Sequence, residues 1–431
     1  MRYVIIGNSY AGVSAAEAIR ENDTGGEITI ISDERYSVYS RPLISYYLAG
    51  KVDEEGMCYR SRDFYRKMNV NAMLGREVIK VDTDKRIVTL SGGDAVSYDK
   101  LLIATGGKPF VPPMKGADAK GVFTFTTFDD AKKLYDAAKK RGAKHAVIIG
   151  GGLIGLKACE GVKASGLKVT IVELGERVLA LALDEESGSI VGRRLREEGV
   201  NIITSHTVNE ILSDEDGVCG VILDDGRKIE CELVVVAIGV RPNIDIIKDT
   251  EIKVNRGIVT DEYMQTSVEG VYAAGDVAEA YDLVNDRSNV IAIVPLAYDQ
   301  GRTAGYNMAG VNRKYTGGVS MNSVEVYGIP VMTMGITLPD ENDKKEILVY
   351  NERGVYRKFI LDNGVLVGAI LVGEVDHGGI LTFMIRNKMN INHLKESLIK
   401  GDFLSHIAEI GSEISKNTAQ WQKENHLIPD F

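Results

Sequence analysis

Two stretches of the chain alternate in the same way between apolar runs and glycine clusters. In the first, the apolar run Tyr3–Ile6 leads into GNSYAG, a helix-compatible segment and a second run at Glu27–Ile31. In the other, Ala146–Ile149 leads into GGGLIG, a helix-compatible segment and the run Lys168–Val172. Short apolar runs on either side of a helix-compatible segment predict strand, turn, helix and strand, the βαβ unit of a parallel sheet.

The glycines of the second turn have the spacing of a dinucleotide-binding loop. Gly150, Gly152 and Gly155 fit G-x-G-x-x-G directly after a strand. The first glycine permits a sharp turn, the second lets the backbone approach a pyrophosphate, and the third allows the helix to pack closely on the strand. Glu173 ends the next strand, where a carboxylate binds the ribose hydroxyls and repels the 2′-phosphate of NADP. The sequence therefore predicts a site for NADH.

The first unit aligns with the second at a constant offset. The matched pairs are Gly7 with Gly150, Ser9 with Gly152, and Gly12 with Gly155. Serine replaces the middle glycine, but its side chain is small enough for a phosphate to approach. The residue aligned with Glu173 is Ser32, so we expect Asp33 or Glu34, just beyond it, to contact a ribose. Two such units imply two dinucleotides.

Further motifs follow in the linking segments and after the second unit. LLIATGGKP (Leu101–Pro109) and VVVAIGVRPN (Val234–Asn243) both end a buried strand in glycine and proline, which again indicates two related units. The proline-rich segment Pro109–Gly116 predicts a crossover between domains. Another apolar strand ends at Gly275-Asp276. The helix predicted at Val294–Gly310 begins without charge, which suits contact with an aromatic ring system.

From about residue 319 the pattern changes to short alternating strands. These are predicted at Ser323–Tyr327, Val331–Ile336, Ile347–Tyr350, Val355–Leu361 and Val365–Val372. Helical segments follow from Gly379 to near Asn425. This order predicts a separate α+β domain.

Length, charge and cysteine spacing limit the kinds of protein that this chain can be. A chain of 431 residues predicts two or three domains. No apolar run approaches the roughly 20 residues of a membrane span, and the immediate entry into a strand leaves no room for a signal peptide. We therefore expect a cytoplasmic protein.

A net charge of −10 without a basic patch argues against nucleic acid as a partner. The four cysteines form no C-x-x-C pair, so neither a metal site nor a redox dithiol is expected from them, and free thiols are expected rather than a disulfide.

Five motifs in order resemble the FAD- and NAD(P)-dependent pyridine nucleotide–disulfide oxidoreductase superfamily. They are GNSYAG, IATGG, GGGLIG with VTIVE, AIGVRPN, and TSVEGVYAAGDVAE, and they cover about residues 1–310. The resemblance implies an α/β fold with two Rossmann-like domains of the glutathione-reductase type and a C-terminal α+β domain. It implies an FAD domain at 1–112 and 243–318, an NAD domain at 113–242, and a C-terminal domain at 319–431.

The resemblance also assigns residues to the two cofactors. The residues matched to the NAD site are Gly150, Gly152, Gly155 and Glu173. Those matched to FAD are Gly7, Ser9 and Gly12 at the pyrophosphate, Ala104, Thr105 and Gly106 in the flavin domain, Gly275 and Asp276 at the ribityl chain, and Pro295, Leu296 and Ala297 at the isoalloxazine edge. Gly239 is a further cofactor-binding candidate. Arg41 is expected either to contact the FAD phosphates or to cap a helix.

The branch of the superfamily follows from a missing cysteine. Disulfide reductases carry two cysteines, and NADH oxidases and peroxidases one, in the stretch that matches Tyr36–Gly50, which has none here. This stretch looks more like NADH:rubredoxin oxidoreductases and the flavin module of assimilatory nitrite reductase, in which FAD passes electrons to an iron-containing acceptor. The expected partner is rubredoxin, a ferredoxin-like protein or an iron–sulfur subunit.

Two other functions stay open at this point. One is an NADH oxidase that acts on oxygen or a small disulfide. The other is a non-catalytic NADH-binding regulatory or electron-transfer subunit. Both a homo-oligomer and a hetero-complex are compatible with the sequence.

Lys157 departs from the family pattern. Many relatives have glutamate at this position, in the helix turn after the NAD loop. If the Lys157 ammonium faces flavin N5, it stabilises a reduced, anionic flavin electrostatically. The alternative is an ordinary solvated lysine on the helix surface.

Overall fold

The order of strands and helices follows the predicted alternation. The computed structural model describes residues 1–140, 143–340, 342–403 and 411. The elements of the first part are β1 (Arg2–Ile6), α1 (Tyr10–Asn22), β2 (Glu27–Ser32), α2 (Ile44–Leu48), α3 (Phe64–Lys67), β3 (Val70–Leu74), β4 (Val78–Asp82), β5 (Ile87–Leu90), β6 (Ala95–Ser97), β7 (Lys100–Ile103) and β8 (Gly107–Pro109). Those of the second part are β9 (Val122–Phe123), α4 (Phe128–Lys140), β10 (His145–Ile149), α5 (Leu153–Ala164), β11 (Lys168–Glu173), α6 (Glu185–Glu197), β12 (Asn201–Thr204), β13 (Val208–Ser213), β14 (Val218–Leu223), β15 (Lys228–Ile229), β16 (Leu233–Val236) and β17 (Val240–Pro242).

The remaining elements complete the first unit and form the C-terminal region. They are β18 (Ile258–Val259), β19 (Val271–Ala273), β20 (Ala278–Asp282), β21 (Arg287–Asn289), α7 (Val294–Met308), β22 (Met321–Val326), β23 (Ile329–Gly335), β24 (Glu346–Glu352), β25 (Val355–Asp362), β26 (Val365–Val372), α8 (Gly378–Arg386) and α9 (Lys395–Lys400). The five strands predicted after residue 319 are present, with small shifts in their bounds. The helical prediction up to Asn425 extends beyond the described residues.

The first parallel sheet takes strands from two separate parts of the chain. Its order is β19-β7-β1-β2-β3, so a strand from residues 271–273 completes a sheet that begins at Arg2. Ile6 lies between Ile31 on one side and Ile103 on the other. The central strands are buried, as expected of a parallel sheet with both faces covered.

The second parallel sheet repeats this arrangement with the order β12-β11-β10-β16-β9. Ile149 lies between Val172 and Val236. Because Val172 therefore corresponds to Ile31, Glu173 corresponds to Ser32, which confirms the predicted alignment. The fold class is confirmed, whereas the domain boundaries at residues 112, 242 and 318 stay predictions.

The two units are connected where the two glycine–proline motifs meet. Strand β8 follows the first motif and pairs antiparallel with β17, which follows the second. The amide of Phe110 also donates to the carbonyl of Gly239 at 2.9 Å. The chain thus leaves the first unit and returns to it through one two-stranded ribbon.

The C-terminal region is an antiparallel sheet with the order β22-β23-β26-β25-β24. One face packs on α8, with Phe359, Leu371 and Leu381 in a common core. The other face, including Val326 and Tyr356, shares a core with Leu156 on α5. The C-terminal sheet is therefore packed directly on the helix that follows the second glycine loop. Among the described residues, no helix combines the length and apolar character that a bilayer crossing requires.

Helix α7 packs against α1 through small residues. A Cβ on Gly305 would lie 2.5 Å from the carbonyl oxygen of Ala15, and one on Gly301 would lie 2.2 Å from that of Ala11. These distances are far below van der Waals contact, so the two helices depend on glycine to approach.

Substitution of Gly305 tests this packing. We expect Gly305→Ala to lower the free energy of unfolding by about 1–3 kcal/mol, since the added methyl group meets backbone atoms. The matched control is Gly192→Ala in α6, where the nearest atom to a new Cβ is the flexible Arg196 guanidinium at 3.4 Å. The control should be neutral or stabilising by up to about 1 kcal/mol. Thermal unfolding of both FAD-free variants gives the comparison, and equal effects would contradict the packing argument.

Candidate active site

The two glycine loops have the same geometry. Gly7 has φ +124° and Gly150 has φ +107°, a region that favours glycine. A Cβ would lie 2.1 Å from the Ala104 carbonyl oxygen at Gly7, and 2.5 Å from the Ala237 carbonyl oxygen at Gly150. Each glycine amide donates at 2.8 Å to the neighbouring strand, Gly7 to Ile31 and Gly150 to Val172.

The last glycine of each loop brings the helix onto the turn. A Cβ on Gly12 would lie 2.0 Å from the Gly7 carbonyl oxygen, and one on Gly155 would lie 1.9 Å from that of Gly150. Any side chain at either position would push the helix away. The starts of α1 and α5 are therefore placed directly above the strand ends, with their first amides directed outward.

The middle residue of each loop leaves room for a ligand. Gly152 is the N-cap of α5, and no atom outside its immediate chain neighbours lies within 4 Å of a Cβ there. Ser9 is the N-cap of α1 in an extended conformation, and its hydroxyl makes no capping hydrogen bond. Both positions suit close approach of a pyrophosphate to a helix N-terminus.

The acidic groups beyond the strands are held differently in the two units. The Glu173 carboxylate accepts from the amide of Gly151 at 2.5 Å and from that of Gly175 at 2.6 Å, which fixes it at the end of β11. Asp33 is exposed, whereas Glu34 accepts from the Tyr39 hydroxyl at 2.5 Å and from Arg41. Contact of these acids with a ribose stays a prediction.

Arg41 connects three segments of the chain. Its guanidinium binds Glu34, and it donates to the carbonyl of Thr126 at 3.1 Å. It also lies close enough to Asp276 to stabilise the ionised carboxylate. Its side chain is thus engaged with the segment after β2, the segment before α4, and the turn after β19, rather than capping a helix.

The carboxyl group of Asp276 has the properties of a ligand contact. Burial raises its pKa above the ordinary value, and the positive charge of Arg41 opposes that shift. Among the described residues, no hydrogen-bond donor satisfies this half-buried carboxylate. The preceding turn is fixed by Gln300, which accepts from the amide of Gly275 at 2.8 Å. Gln300 is a positioning residue that no motif indicated.

The remaining predicted FAD residues lie beside this turn or at the ribbon. Leu296 and Ala297 are buried, and the Cβ of Ala297 is 3.6 Å from a Cβ placed on Gly275. At the ribbon, the Thr105 hydroxyl donates to the carbonyl of Asn243 at 2.7 Å. The side-chain oxygen of Asn243 is buried without a partner in the described part of the chain. The orphaned acceptor of Asn243 and the unpartnered carboxylate of Asp276 each fit the hydrogen-bond donors of a polar cofactor.

Lys157 is engaged with protein groups. Its ammonium lies 2.7 Å from the carboxylate of Glu160 and donates to the carbonyl of Glu325 at 2.5 Å. This geometry gives no support to a role at the flavin. It also differs from a solvated helix lysine, since the side chain is only 22% exposed.

The four thiols are free, as expected. Burial raises the pKa of the Cys159 and Cys231 thiols to about 12. Burial also raises the pKa of the Cys58 thiol. Cys219 and Cys231 form no disulfide.

One group of metal-ligating residue types comes together in the described residues. It consists of His206, Asp224 and Asp225. His206 Nδ1 lies 2.9 Å from Asp224, and Asp225 is bound by Arg227 at 2.5 Å. Their ligand atoms are already paired with one another or with the arginine.

The model of the pyridine nucleotide-disulphide oxidoreductase family matches residues 1–301, a range that contains both glycine loops and Asp276. The chain belongs to this family. Its members bind FAD and NAD(P)H, and the donor groups and open loops described above fit these cofactors. A second model, the C-terminal domain of rubredoxin NAD⁺ reductase, matches residues 321–389.

Several curated relatives of this family are similar over most of the chain. The Bacillus subtilis nitrite reductase [NAD(P)H] is 34% identical over 90% of this chain, and the chain spans only 48% of that relative. The epsilon subunit of the NADH-dependent phenylglyoxylate dehydrogenase of Aromatoleum evansii is 30% identical, with 97% and 98% of the two chains covered. The NADH-rubredoxin oxidoreductase of Clostridium acetobutylicum is 29% identical over 88% of this chain and 92% of the relative.

Solved structures give the same family. The NAD-dependent persulfide reductase from A. fulgidus has a TM-score of 0.85 and 30% identity, with 91% of this chain and 78% of that chain covered. The covalent putidaredoxin reductase–putidaredoxin complex has a TM-score of 0.84 and 27% identity, with coverages of 94% and 98%. Relatives in this family include an NADH-rubredoxin oxidoreductase and NADH oxidases.

Glu173→Gln tests the choice of dinucleotide. Loss of the charge removes the repulsion of a 2′-phosphate, so the ratio of kcat/KM for NADPH to that for NADH should rise about tenfold or more. The control is Glu197→Gln at the exposed end of α6, which removes one charge elsewhere and should leave the ratio unchanged. An unchanged ratio in the Glu173 variant would exclude it as the selector.

Asp276→Asn should have opposite effects on the free protein and on FAD binding. Since the folded-state pKa is raised, ionised Asp276 destabilises the FAD-free fold above that pKa, and the cost disappears as the pH falls toward the ordinary value. The FAD-free variant should therefore be more stable than wild type at pH 7, with a difference that shrinks on acidification.

FAD affinity of the same variant should fall about tenfold, because a charged acceptor for ribityl hydroxyls is lost. Thermal unfolding against pH and FAD titration by flavin fluorescence measure the two effects. Asp84→Asn in an exposed turn is the control for both. Unchanged FAD affinity would remove Asp276 from the site.

Proposed function

We propose that this protein is an FAD-dependent NADH oxidoreductase that passes electrons to an iron-containing, one-electron protein acceptor. FAD, when bound, takes up two electrons as hydride and releases them singly, which suits an exchange between NADH and such an acceptor. The observation that carries the proposal is the segment Tyr36–Gly50, which contributes Arg41 beside Asp276 and contains no cysteine.

Thiol chemistry at the flavin has little support in this chain. A flavin-linked disulfide reductase needs a thiolate, and burial holds the pKa of three of the four thiols above the ordinary value. At the half-buried Cys58, which contacts the carbonyl of Glu54 at 3.7 Å, burial outweighs the positive charge of Arg62 and the pKa of the thiol stays raised. A small disulfide is therefore not the proposed acceptor.

The chain's own residues have separable tasks in this proposal. The loop Gly150–Gly155 and Glu173 bind and orient NADH in the unit 113–242. The loop Gly7–Gly12 and Asp276 bind FAD in the unit formed by 1–112 and 243–318. Arg41 places a fixed positive charge beside Asp276. Each NADH supplies two electrons to two one-electron acceptors, and the proton that the hydride brings is released to solvent, so no dedicated acid–base residue is assigned.

The acceptor is proposed to lie on another polypeptide. The four cysteines do not have the spacing of an iron–sulfur or rubredoxin-type site. The match of residues 321–389 to a rubredoxin reductase C-terminal domain supports a rubredoxin-like or ferredoxin-like acceptor. The end-to-end similarity to a dehydrogenase subunit supports a redox partner within a hetero-complex.

Anaerobic stoichiometry tests this function. With FAD-loaded protein, each NADH consumed should reduce two molecules of a rubredoxin or a ferredoxin, followed by the change in absorbance of the iron centre. The control is Gly152→Val. Its φ of −78° is open to any residue and no protein atom crowds the site, so the fold should be unaffected while NADH is excluded. Its flavin should still be reduced by dithionite.

Formation of peroxide or water in air at the rate of NADH consumption, with no iron protein reduced, would contradict the proposal and favour an oxidase. Tight NADH binding with negligible turnover on every acceptor would favour a regulatory subunit.

A further inference from the structure

The tip of the hairpin between β22 and β23 (Glu325–Ile329, the hairpin tip) is bound to the NADH-binding unit by polar contacts. The carbonyl of Glu325 accepts from Lys157 at 2.5 Å. The amide of Tyr327 contacts Glu160 at 3.4 Å, and the carbonyl of Tyr327 accepts from Arg194 on α6 at 2.9 Å. Three backbone groups of the C-terminal sheet are thus bound by side chains of α5 and α6.

These contacts lie over a shared hydrophobic core. Val326 is fully buried in a cluster with Leu156 and Val162 of α5. Tyr327 adopts a left-handed conformation, with φ +45°, that directs the turn onto the helices. The hairpin tip therefore has a defined position on α5 rather than a loose surface contact.

Helix α5 is also held by the first unit, at Gly161, the residue that follows Glu160. A Cβ on Gly161 would lie 2.6 Å from the side chain of Leu48 on α2, so the two helices are in close contact at that point. Helix α5 is thus fixed at Gly161 by the FAD-binding unit and at Lys157 and Glu160 by the hairpin tip. Gly155 is pressed onto Gly150, so movement of the helix is transmitted to the glycine loop.

The position of the first turn of α5 is sensitive to a small tilt of the helix. Leu153 lies about 12 Å along the helix from Gly161, at about 1.5 Å per residue, so a tilt of about 5° moves the first turn by about 1 Å. A displacement of about 1 Å is enough to lower the rate of hydride transfer by as much as roughly 100-fold.

We propose that Lys157 is a positioning residue for NADH: by joining Glu160 on α5 to the carbonyl of Glu325, it lets the C-terminal domain set the position of the dinucleotide loop. The proposal rests on the proposed function, since it concerns the same NADH site. A lysine reaches the carbonyl of another segment, whereas a carboxylate at this position would repel both Glu160 and that carbonyl. The charge at residue 157 thus acts through the helix and not on the flavin.

The test compares three substitutions at the contact with one control on the same helix. Lys157→Met removes both bonds, Lys157→Arg keeps a donor, and Glu160→Gln keeps an acceptor without the charge. The control is Lys163→Met in the last turn of α5, which removes the same charge away from the hairpin tip. Binding is measured with tetrahydro-NAD, a dinucleotide that cannot transfer hydride, so the result does not depend on any acceptor.

We expect Lys157→Met to weaken tetrahydro-NAD binding about fivefold or more and to slow flavin reduction by NADH about tenfold, with the flavin midpoint potential unchanged. Lys157→Arg should stay within about twofold of wild type, Glu160→Gln should be intermediate, and Lys163→Met should match wild type in both measurements.

Two outcomes would overturn the proposal. A shifted flavin potential in Lys157→Met with unchanged tetrahydro-NAD binding would mean that the ammonium acts on the flavin. A lower melting temperature with unchanged binding and unchanged flavin reduction would mean that the contact only stabilises the fold. Failure of the wild-type flavin to be reduced by NADH would instead count against the proposed function, and tetrahydro-NAD binding separates the two cases.

Discussion

The structure depends on two contacts between backbone atoms that only glycine permits. Gly12 lies against the carbonyl of Gly7, and Gly155 lies against that of Gly150, each with less than 2.1 Å left for a Cβ. In each unit, the contact places the start of a helix over the end of a strand, so that the first backbone amides of that helix point toward a single site. Sheets, acidic groups and the C-terminal hairpin are all arranged around the two helices fixed in this way.

Features with a local signature could be predicted from the sequence. The glycine spacing and the apolar runs depend on residues close together in the chain, and the corresponding elements are present. The correspondence of Ser32 with Glu173 could also be predicted, because the two units have the same strand register. Family membership followed from the order of the motifs rather than from any one of them.

The contacts of long side chains could not be predicted, because their partners are distant in sequence. Arg41 binds the carbonyl of Thr126, 85 positions away, and Lys157 binds that of Glu325, 168 positions away. Periodicity shows which face of a helix is polar but not which segment covers it. The contact of Gln300 with the amide of Gly275 could not be predicted for the same reason, since a glutamine on an amphipathic helix gives no indication of its partner.

The ribbon formed by β8 and β17 has a mechanical consequence. Two separate single-stranded connections would let the inserted unit twist and swing independently, whereas two hydrogen-bonded strands resist shear and stretch together. The ribbon therefore restrains twisting of the second unit against the first, in addition to the contact between Leu48 on α2 and Gly161 on α5.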